Sequence, residues 1–199
     1  MDRRGLDISV HNEGVLSRDS AWQAIKNSQF SDFIILRRGY GVNGTEDERY
    51  KDWYHRAQSI GITDVSSYFF SYSESVEEAA WEAEQYARMT EEDGLALTAV
   101  ILDFEDNAKW QRDGYHPNRK QATAHCKAFL DVLKAHGLNC ALYANQSTLT
   151  NLVDWRSLDC SVWNAAYSVQ DSIRGWMFQY TDSQWIGQYG PFDANIMYG

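Results

Sequence analysis

The sequence has few of the features that mark export, membrane insertion or several domains. Its 199 residues include only two prolines and no Gly/Ser-rich tract, so no linker is visible. The longest apolar runs are shorter than a membrane span, and the opening residues, MDRRGLDISVH, lack the apolar stretch of a signal peptide. We therefore expect one domain over residues 1–199, without a membrane partner.

Positive charge is also scarce. The formal net charge is −10, and no basic patch is evident that could displace the counterions of a nucleic acid. The pairs Arg3–Arg4 and Arg37–Arg38 are too short to change this balance. The composition therefore excludes nucleic acid as the expected partner.

Cysteine is too rare, and too irregularly spaced, for a disulfide framework or a zinc site. The three cysteines, Cys126, Cys140 and Cys160, are odd in number and share no C-x-x-C spacing. The five histidines are scattered and have no neighbouring carboxylate motif. We expect reduced thiols and no metal site built from histidine or cysteine.

What the sequence does contain is an alternation of strands and helices. Helices are predicted at 19–28 and 45–59, from a capping box at Ser75, and from Asn118 to a stop at Gly137. Eight apolar strands are predicted in GLDISV, DFIILRRGYG, TDVSSYFFSYS, LALTAVILDFE, LNCALYAN, CSVWNAAY, GWMFQYT and FDANIMY. Such strands are typical of parallel sheets buried on both faces. We predict an α/β fold, an irregular (β/α)8-type (TIM-like) barrel with few helices in the C-terminal part; the alternative is an open doubly wound sheet.

One glycine motif suggests dinucleotide binding but does not support it. GYGVNG, from Gly39 to Gly44, matches G-x-G-x-x-G between a strand and a helix. The acids Glu46, Asp47 and Glu48 follow where a pyrophosphate would need positive potential, and the motif comes after the second strand. The better interpretation is a turn that needs the φ freedom of glycine.

The acidic stretch ILDFEDN carries the main chemical signal. Asp103 and Glu105 are two residues apart, so both point to one face at the C-terminal end of a strand, where barrel active sites lie. Asp7, Arg37 and Asp193 stand at other strand ends and fit the same rim. Paired acids suit glycoside hydrolysis, although the same acids could bind Mg²⁺ or Ca²⁺ or merely end a strand.

Eight motifs in order resemble one known family. They are GLDISVHNEG, FIILRRGYG, SYFFSYS with SVEEAAWEAE, VILDFED, ALYAN, VWNAAY, FQYT and FDAN, and they span almost the whole chain. This pattern is similar to glycoside hydrolase family 25, the Chalaropsis-type lysozymes (N-acetylmuramidases) of phage endolysins and bacterial autolysins. The resemblance implies an irregular barrel that cleaves the β-1,4 bond between N-acetylmuramic acid and N-acetylglucosamine in peptidoglycan, without a cofactor.

The resemblance also implies roles for the four acids. Glu105 would be the general acid, and Asp103 would assist at the anomeric carbon, either by orienting the substrate's N-acetyl group or as the nucleophile. Asp7 and Asp193 would hold the hydrogen bonds and charge that help keep Glu105 protonated. The segment HNEG departs from the family pattern through an inserted Glu13, so the groove is expected to differ there.

Aromatic side chains near strand ends are expected to stack on sugar rings, with barrel core as their alternative role. The predicted substrate-binding aromatics are Tyr68, Phe70, Tyr143, Trp163, Tyr167 and Tyr180. Arg37 is predicted either to pair with the catalytic acids, which places it with the substrate-binding residues, or to have a structural role at its strand end.

Three other functions compete with a muramidase. A chitinase-like hydrolase would need acids at Thr98 and Ile101, a metal-dependent hydrolase would use the same carboxylates, and a sugar-binding module would have no need of Glu105. The expected partner is bacterial peptidoglycan, with a separate C-terminal cell-wall-binding module as in other family members. The expected site of action is the wall, and the lack of a signal peptide fits a phage enzyme made in the host cytoplasm and released at lysis.

Overall fold

The protein is a closed barrel, seen here in a computed structural model that describes residues 1–199. Eight strands form its wall, and a two-residue strand, β3 (Thr45–Glu46), pairs with the end of β2. The wall strands are β1 (Arg3–Ile8), β2 (Phe33–Tyr40), β4 (Val65–Phe70), β5 (Val100–Asp103), β6 (Cys140–Asn145), β7 (Ser161–Ala165), β8 (Met177–Ile186) and β9 (Tyr189–Met197). The predicted α/β barrel is confirmed, and the open doubly wound sheet is not formed.

The direction of the last strand differs from the all-parallel prediction. Strands β1, β2 and β4 to β8 are parallel, whereas β9 runs antiparallel to both β8 and β1 and closes the barrel. Ile186 pairs with Tyr189 across a tight turn at Gly187, whose φ is 60°. A turn this short leaves no room for the crossover helix that a parallel strand requires, so β9 must return antiparallel.

All six α-helices end by residue 135, which agrees with the predicted shortage of helices in the C-terminal part. After the last of them come only a π-helical turn (Thr148–Leu152) and a 3₁₀ turn (Trp155–Ser157). None of the helices combines the length and apolar character needed to cross a membrane. The α-helices are α1 (Glu13–Leu16), α2 (Asp19–Lys26), α3 (Tyr50–Ser59), α4 (Val76–Asp93), α5 (Ala108–Asp113) and α6 (Arg119–Ala135).

Helix starts follow the capping residues in two cases and depart from the prediction in a third. The Ser75 side chain accepts a hydrogen bond from the Glu78 amide at 3.1 Å, and Asn118 caps α6 in a reciprocal capping box. Helix α3 begins at Tyr50 rather than near residue 45, because Thr45 and Glu46 pair with β2 instead. The intervening turn contains two left-handed glycines, which confirms the interpretation of GYGVNG.

The pleat of the strands separates an apolar barrel floor from a polar barrel mouth. On β5, Ile101 points inward to the floor, Leu102 points outward to the helices, and Asp103 points inward again. The other buried floor residues are Phe33, Ile35, Ala99, Ala141, Tyr143, Trp163, Ala165, Met177 and Met197. The carboxylates at the mouth therefore lie on an apolar layer, which increases the free-energy cost of ionising them.

Candidate active site

The four predicted acids line one cavity of about 160 Å³ at the mouth of the barrel. They arrive on three different strands and the segment just after β5, so only the closed barrel brings them together. We call this space the acid cavity; its lining residues are Asp7, Tyr68, Asp103, Glu105, Tyr143, Trp163, Tyr167, Gln179 and Asp193. Four of the predicted aromatics, Tyr68, Tyr143, Trp163 and Tyr167, thus lie where a sugar ring would contact the acids.

Asp7 is held by two amide donors. Gln179 Nε2 donates to Asp7 Oδ2 at 2.8 Å, and Asn195 Nδ2 donates to the same oxygen at 2.7 Å. Burial raises the pKa of Asp7, and these two hydrogen bonds oppose the shift because they stabilise the carboxylate. Asp7 is therefore the acid of the site that hydrogen bonds hold in place.

A second set of contacts fixes the two amides. Tyr143 and Tyr167 both donate their hydroxyl protons to Gln179 Oε1, at 2.9 and 2.7 Å. Trp163 Nε1 donates to Asn195 Oδ1 at 2.9 Å. Each amide oxygen is thus occupied by a donor, which forces the amide NH₂ group toward Asp7. The aromatics that line the cavity therefore also orient its charge.

Asp193 lies opposite Asp7 in the β1–β9 register and shares a hydrogen bond with it. Burial, followed by the charge of Asp7, raises the pKa of Asp193 to about 8. Ionising both of two carboxylates this close costs free energy, because their negative charges repel each other. Because Asp7 already receives two donors, Asp193 holds the shared proton and donates it to Asp7.

Asp103 differs from Asp7 in having an unused oxygen. Its Oδ1 is buried and has no hydrogen-bond partner, and the residue as a whole is only 6% exposed. Burial, then the charges of Glu105 and Asp7, raise the pKa of Asp103 well above its usual value. A buried polar atom without a partner is costly, so this oxygen is available to a group that enters the cavity.

Glu105 stands just beyond the end of β5 and is partly exposed at the cavity wall. Burial, followed by the charges of Asp7 and Asp106, raises its pKa to about 7. A carboxyl group with this pKa carries a proton in a large fraction of molecules at neutral pH, yet can release it during a reaction. Glu105 has the properties of a general acid.

The segment that carries Glu105 is tied to the loop after β4. Asn107 Nδ2 donates to the Ser71 carbonyl oxygen at 3.3 Å, and Trp110 Nε1 donates to the Ser73 carbonyl oxygen at 3.0 Å. Buried Glu82 of α4 accepts two hydrogen bonds, one from the Tyr72 amide at 2.8 Å and one from the Ser71 hydroxyl. These contacts set the position of the acid segment relative to the barrel.

Sequence reasoning missed Gln179, Asn195 and Glu82. Gln179 and Asn195 stand inside FQYT and FDAN, two motifs that pointed to the family, so a signal for them existed. Glu82 carried none, because it is one of several acids along α4 and only the folded chain shows that it is fully buried.

Two predicted substrate-binding aromatics lie outside the acid cavity. Tyr180 follows the inward-facing Gln179, so the pleat turns it to the outer layer, where it packs against the cluster between the barrel and helices α2 and α3. Phe70 shares the inward face of β4 with Tyr68 but lies one pleat higher, where it meets Tyr72 edge-on at 5.1 Å between ring centroids. Tyr180 therefore does not line the acid cavity, and Phe70 belongs to the rim.

Arg37 forms its ion pair with an acid other than the four that line the acid cavity. Its Nε atom forms a buried ion pair with Asp47 Oδ2 at 3.0 Å, and its guanidinium lies 5.1 Å from the ring centroid of Tyr40. Asp47 precedes α3 and lies closer to Arg37 than the site acids do because the β2–α3 turn folds back over β2. Arg37 is thus a structural residue of the rim, and its charge lowers the pKa of Asp103 only as a minor contribution.

Neither the acids nor the cysteines of the chain form a recognisable metal site. No group of three or more His, Cys, Asp or Glu side chains has an arrangement suited to a metal ion. Cys126, Cys140 and Cys160 are free thiols, and the first two are buried.

Comparisons with solved structures agree with this fold. The modular autolysin LytC from Streptococcus pneumoniae, solved with a synthetic peptidoglycan ligand, matches with a TM-score of 0.84 and 21% identity. The match covers 99% of this chain and 47% of that one, so the chain spans about half the length of LytC. A family GH25 lysozyme from Aspergillus fumigatus has a TM-score of 0.76 and 17% identity, with 100% and 95% of the two chains covered.

The catalytic domain of endolysin ply40, from bacteriophage P40 of Listeria monocytogenes, matches with a TM-score of 0.79 and 22% identity, over 100% of this chain and 94% of that one. No curated protein gives a significant sequence match. The model of the glycosyl hydrolases family 25 matches residues 6–189, which is nearly the whole barrel and includes Asp7, Asp103 and Glu105. The chain belongs to glycosyl hydrolases family 25.

Proposed function

We propose that the protein is a muramidase that hydrolyses the β-1,4 bond between N-acetylmuramic acid and N-acetylglucosamine in bacterial peptidoglycan. The observation that carries the proposal is that two different acids line one cavity. Burial raises the pKa of Glu105 to about 7, and the buried Oδ1 atom of Asp103 has no hydrogen-bond partner. Glycoside hydrolysis requires one protonated acid and a second carboxyl group near the anomeric carbon.

In the proposed reaction Glu105 donates its proton to the glycosidic oxygen as the bond to the anomeric carbon breaks. Positive charge develops on the ring that remains in the acid cavity, and this charge favours the ionised form of Asp103. The Asp103 oxygen without a partner serves both roles open to it, attack on the anomeric carbon or orientation of the substrate's N-acetyl group. A water molecule then attacks the anomeric carbon, and Glu105, now a carboxylate, takes a proton from that water, which completes the hydrolysis and restores the acid. Asp7, held by its two amide donors, lies on the opposite wall.

The aromatic lining supports a carbohydrate substrate. Tyr68 and Trp163 meet edge-on at 6.5 Å between centroids, and Tyr143 and Trp163 are tilted at 4.4 Å, so the three rings form one rigid wall. Their hydroxyl and indole groups are partly committed to Gln179 and Asn195, which leaves faces and edges for the sugar. We propose that this wall contacts the sugar ring beside the acids.

We also propose that the enzyme acts on the cell wall with the help of a separate wall-binding module. The net charge of −10 gives no long-range attraction to an anionic wall, so targeting must come from elsewhere. The structurally similar LytC is described as modular, which is consistent with this arrangement.

The test is digestion of purified Gram-positive peptidoglycan with and without EDTA, followed by borohydride reduction and mass analysis of the new ends. We expect new reducing muramic acid ends, equally abundant with EDTA. New reducing glucosamine ends would instead indicate a glucosaminidase, and release that EDTA abolishes would indicate metal-dependent hydrolysis. Glu105→Gln protein, which keeps the shape of the cavity, is the matched control and should release neither.

A further inference from the structure

A second cavity of about 170 Å³ lies directly beside the acid cavity. The two share one residue, Glu105, which lines both. Apolar side chains of Phe104, Trp110 and Leu152 form part of the wall of the second cavity. His116, Thr148 and the carboxylate of Asp106 add polar groups to it, so the space has an apolar surface and a few hydrogen-bonding groups, as small-ligand sites commonly do.

The wall of this cavity is held in place before any ligand enters. Phe104 and Trp110 meet edge-on with ring centroids 5.3 Å apart, and Trp110 meets Tyr115 edge-on at 5.4 Å. Trp110 is also fixed by its hydrogen bond to the Ser73 carbonyl oxygen and is 3% exposed. The space is therefore a preformed site, which lowers the cost of binding.

The position of Glu105 indicates which part of the substrate lies there. A general acid must reach the glycosidic oxygen, and that oxygen joins two sugars. The sugar that is attacked lies in the acid cavity with Asp103, Asp7 and Asp193. The sugar on the other side of the oxygen then lies beyond Glu105, against the second cavity. That sugar is the leaving group, which under the proposed function is N-acetylglucosamine.

We propose that the second cavity binds the acetamido group of this leaving sugar and so makes the enzyme selective for N-acetylated glucosamine. The methyl group would pack on Trp110 and Leu152, while the amide would bond to His116 or Thr148. An unacetylated glucosamine would lose the packing of the methyl group, and its ammonium group would pair with Glu105 or Asp106, which also line the cavity. The same positive charge would lower the pKa of Glu105 and weaken the acid at neutral pH.

The inference rests on the proposed muramidase activity, so its test uses the same product. Three samples of one peptidoglycan are compared: native, de-N-acetylated at the glucosamine residues only, and chemically re-acetylated. We expect kcat/KM for release of muramic acid ends to fall about tenfold or more on the de-N-acetylated sample and to recover after re-acetylation. Equal rates on all three samples would overturn the proposal.

Two variants test whether this cavity is the cause. Leu152→Trp fills the cavity, and His116→Ala removes an exposed side chain from its wall without disturbing the core. We expect both to slow cleavage of the native sample severalfold, and to bring the ratio of the native rate to the de-N-acetylated rate toward one. The matched control is His55→Ala, an exposed histidine of α3 that lines neither cavity, and it should keep the full preference.

The outcomes separate the two proposals. A preference that stays intact in His116→Ala and in folded Leu152→Trp would assign it to another surface and overturn the inference. Should Leu152→Trp fail to fold, His116→Ala alone decides. If the wild-type protein releases no muramic acid ends from any sample, the proposed function itself is wrong, and the assignment of the second cavity is wrong with it.

Discussion

The two sides of the acid cavity each contain a buried aspartate, but the two aspartates differ in how many hydrogen-bond donors they receive. On the side closed by β1, β8 and β9, Asp7 receives two amide donors and faces a protonated partner, Asp193. On the β5 side, Asp103 is equally buried but has one oxygen without any donor. Since buried polar atoms are nearly always paired, the unpaired side is the one arranged for substrate.

The comparison shows that position at a strand end does not by itself define the role of an acid. Asp7 and Asp103 both point inward from parallel strands at the same end of the barrel. Their neighbours differ, because the antiparallel β9 supplies Asn195 and Asp193 to one of them only. A hydrogen-bonded acid and a carboxyl group with an unpaired oxygen thus lie in one cavity.

The largest expected effect is at Glu105. Glu105→Gln should lower kcat by about 100- to 10,000-fold, because the amide cannot donate a proton as a carboxylic acid does. The fold should persist, and its stability relative to wild type should grow as pH rises from 4.5 to about 7, since the raised pKa of Glu105 costs the wild type stability over that interval. Kinetics at saturating substrate and thermal melts at several pH values measure both; near-normal kcat would remove Glu105 from the acid role.

Asp103→Asn should come next, with a loss of roughly 100-fold in kcat/KM. The variant keeps the shape of the side chain but removes the charge that supports the reacting ring. Asp106→Asn is the matched control, since the same change at an exposed neighbour leaves the free oxygen of Asp103 intact. A loss of less than fivefold in Asp103→Asn would contradict the assignment of the β5 side to the substrate.

A change on the anchored side should have a smaller effect on rate. Asn195→Ala removes one of the two donors to Asp7 and should lower kcat/KM about tenfold, while stability falls by about 1–3 kcal/mol. Asn164→Ala is the control, because this buried asparagine of β7 bonds to Gln146 and Asp171 outside the cavity. Asn164→Ala should lose comparable stability and little activity. If Asn164→Ala and Asn195→Ala lose equal activity, the hydrogen bonds to Asp7 are not needed for catalysis.

The smallest expected effect is a shift in pH dependence. Wild-type kcat/KM should fall as pH rises through about 7, because Glu105 loses its proton there. The charge of Asp106 helps to raise the pKa of Glu105, so Asp106→Asn should move this alkaline limb to lower pH by a fraction of a unit. Profiles of kcat/KM from pH 5 to 9 measure the shift, and a limb that moves upward would contradict the stated electrostatics.

Much of the site could be predicted because the signals are local. The two-residue spacing of Asp103 and Glu105 after an apolar strand predicts that both lie on one face, and in the structure both line one cavity. Strand ends do not reveal the direction of the pleat, so the sequence does not show that Gln179 points inward while its neighbour Tyr180 lies outside the acid cavity. The sequence leaves two roles open for Arg37, because Asp47, with which it pairs, lies on a turn whose path the sequence does not show.

The alternation of strands and helices, the acids at the strand ends and the family can be predicted from the sequence, because each depends on periodicity and short motifs. Three features are visible only in the tertiary structure: β9 is antiparallel, Asp7 is anchored while Asp103 is not, and Glu105 lies between two cavities. Hydrogen bonding and desolvation act between groups that meet only after folding. Asn195 and Asp7, 188 positions apart in the chain, become partners at 2.7 Å only when the barrel closes.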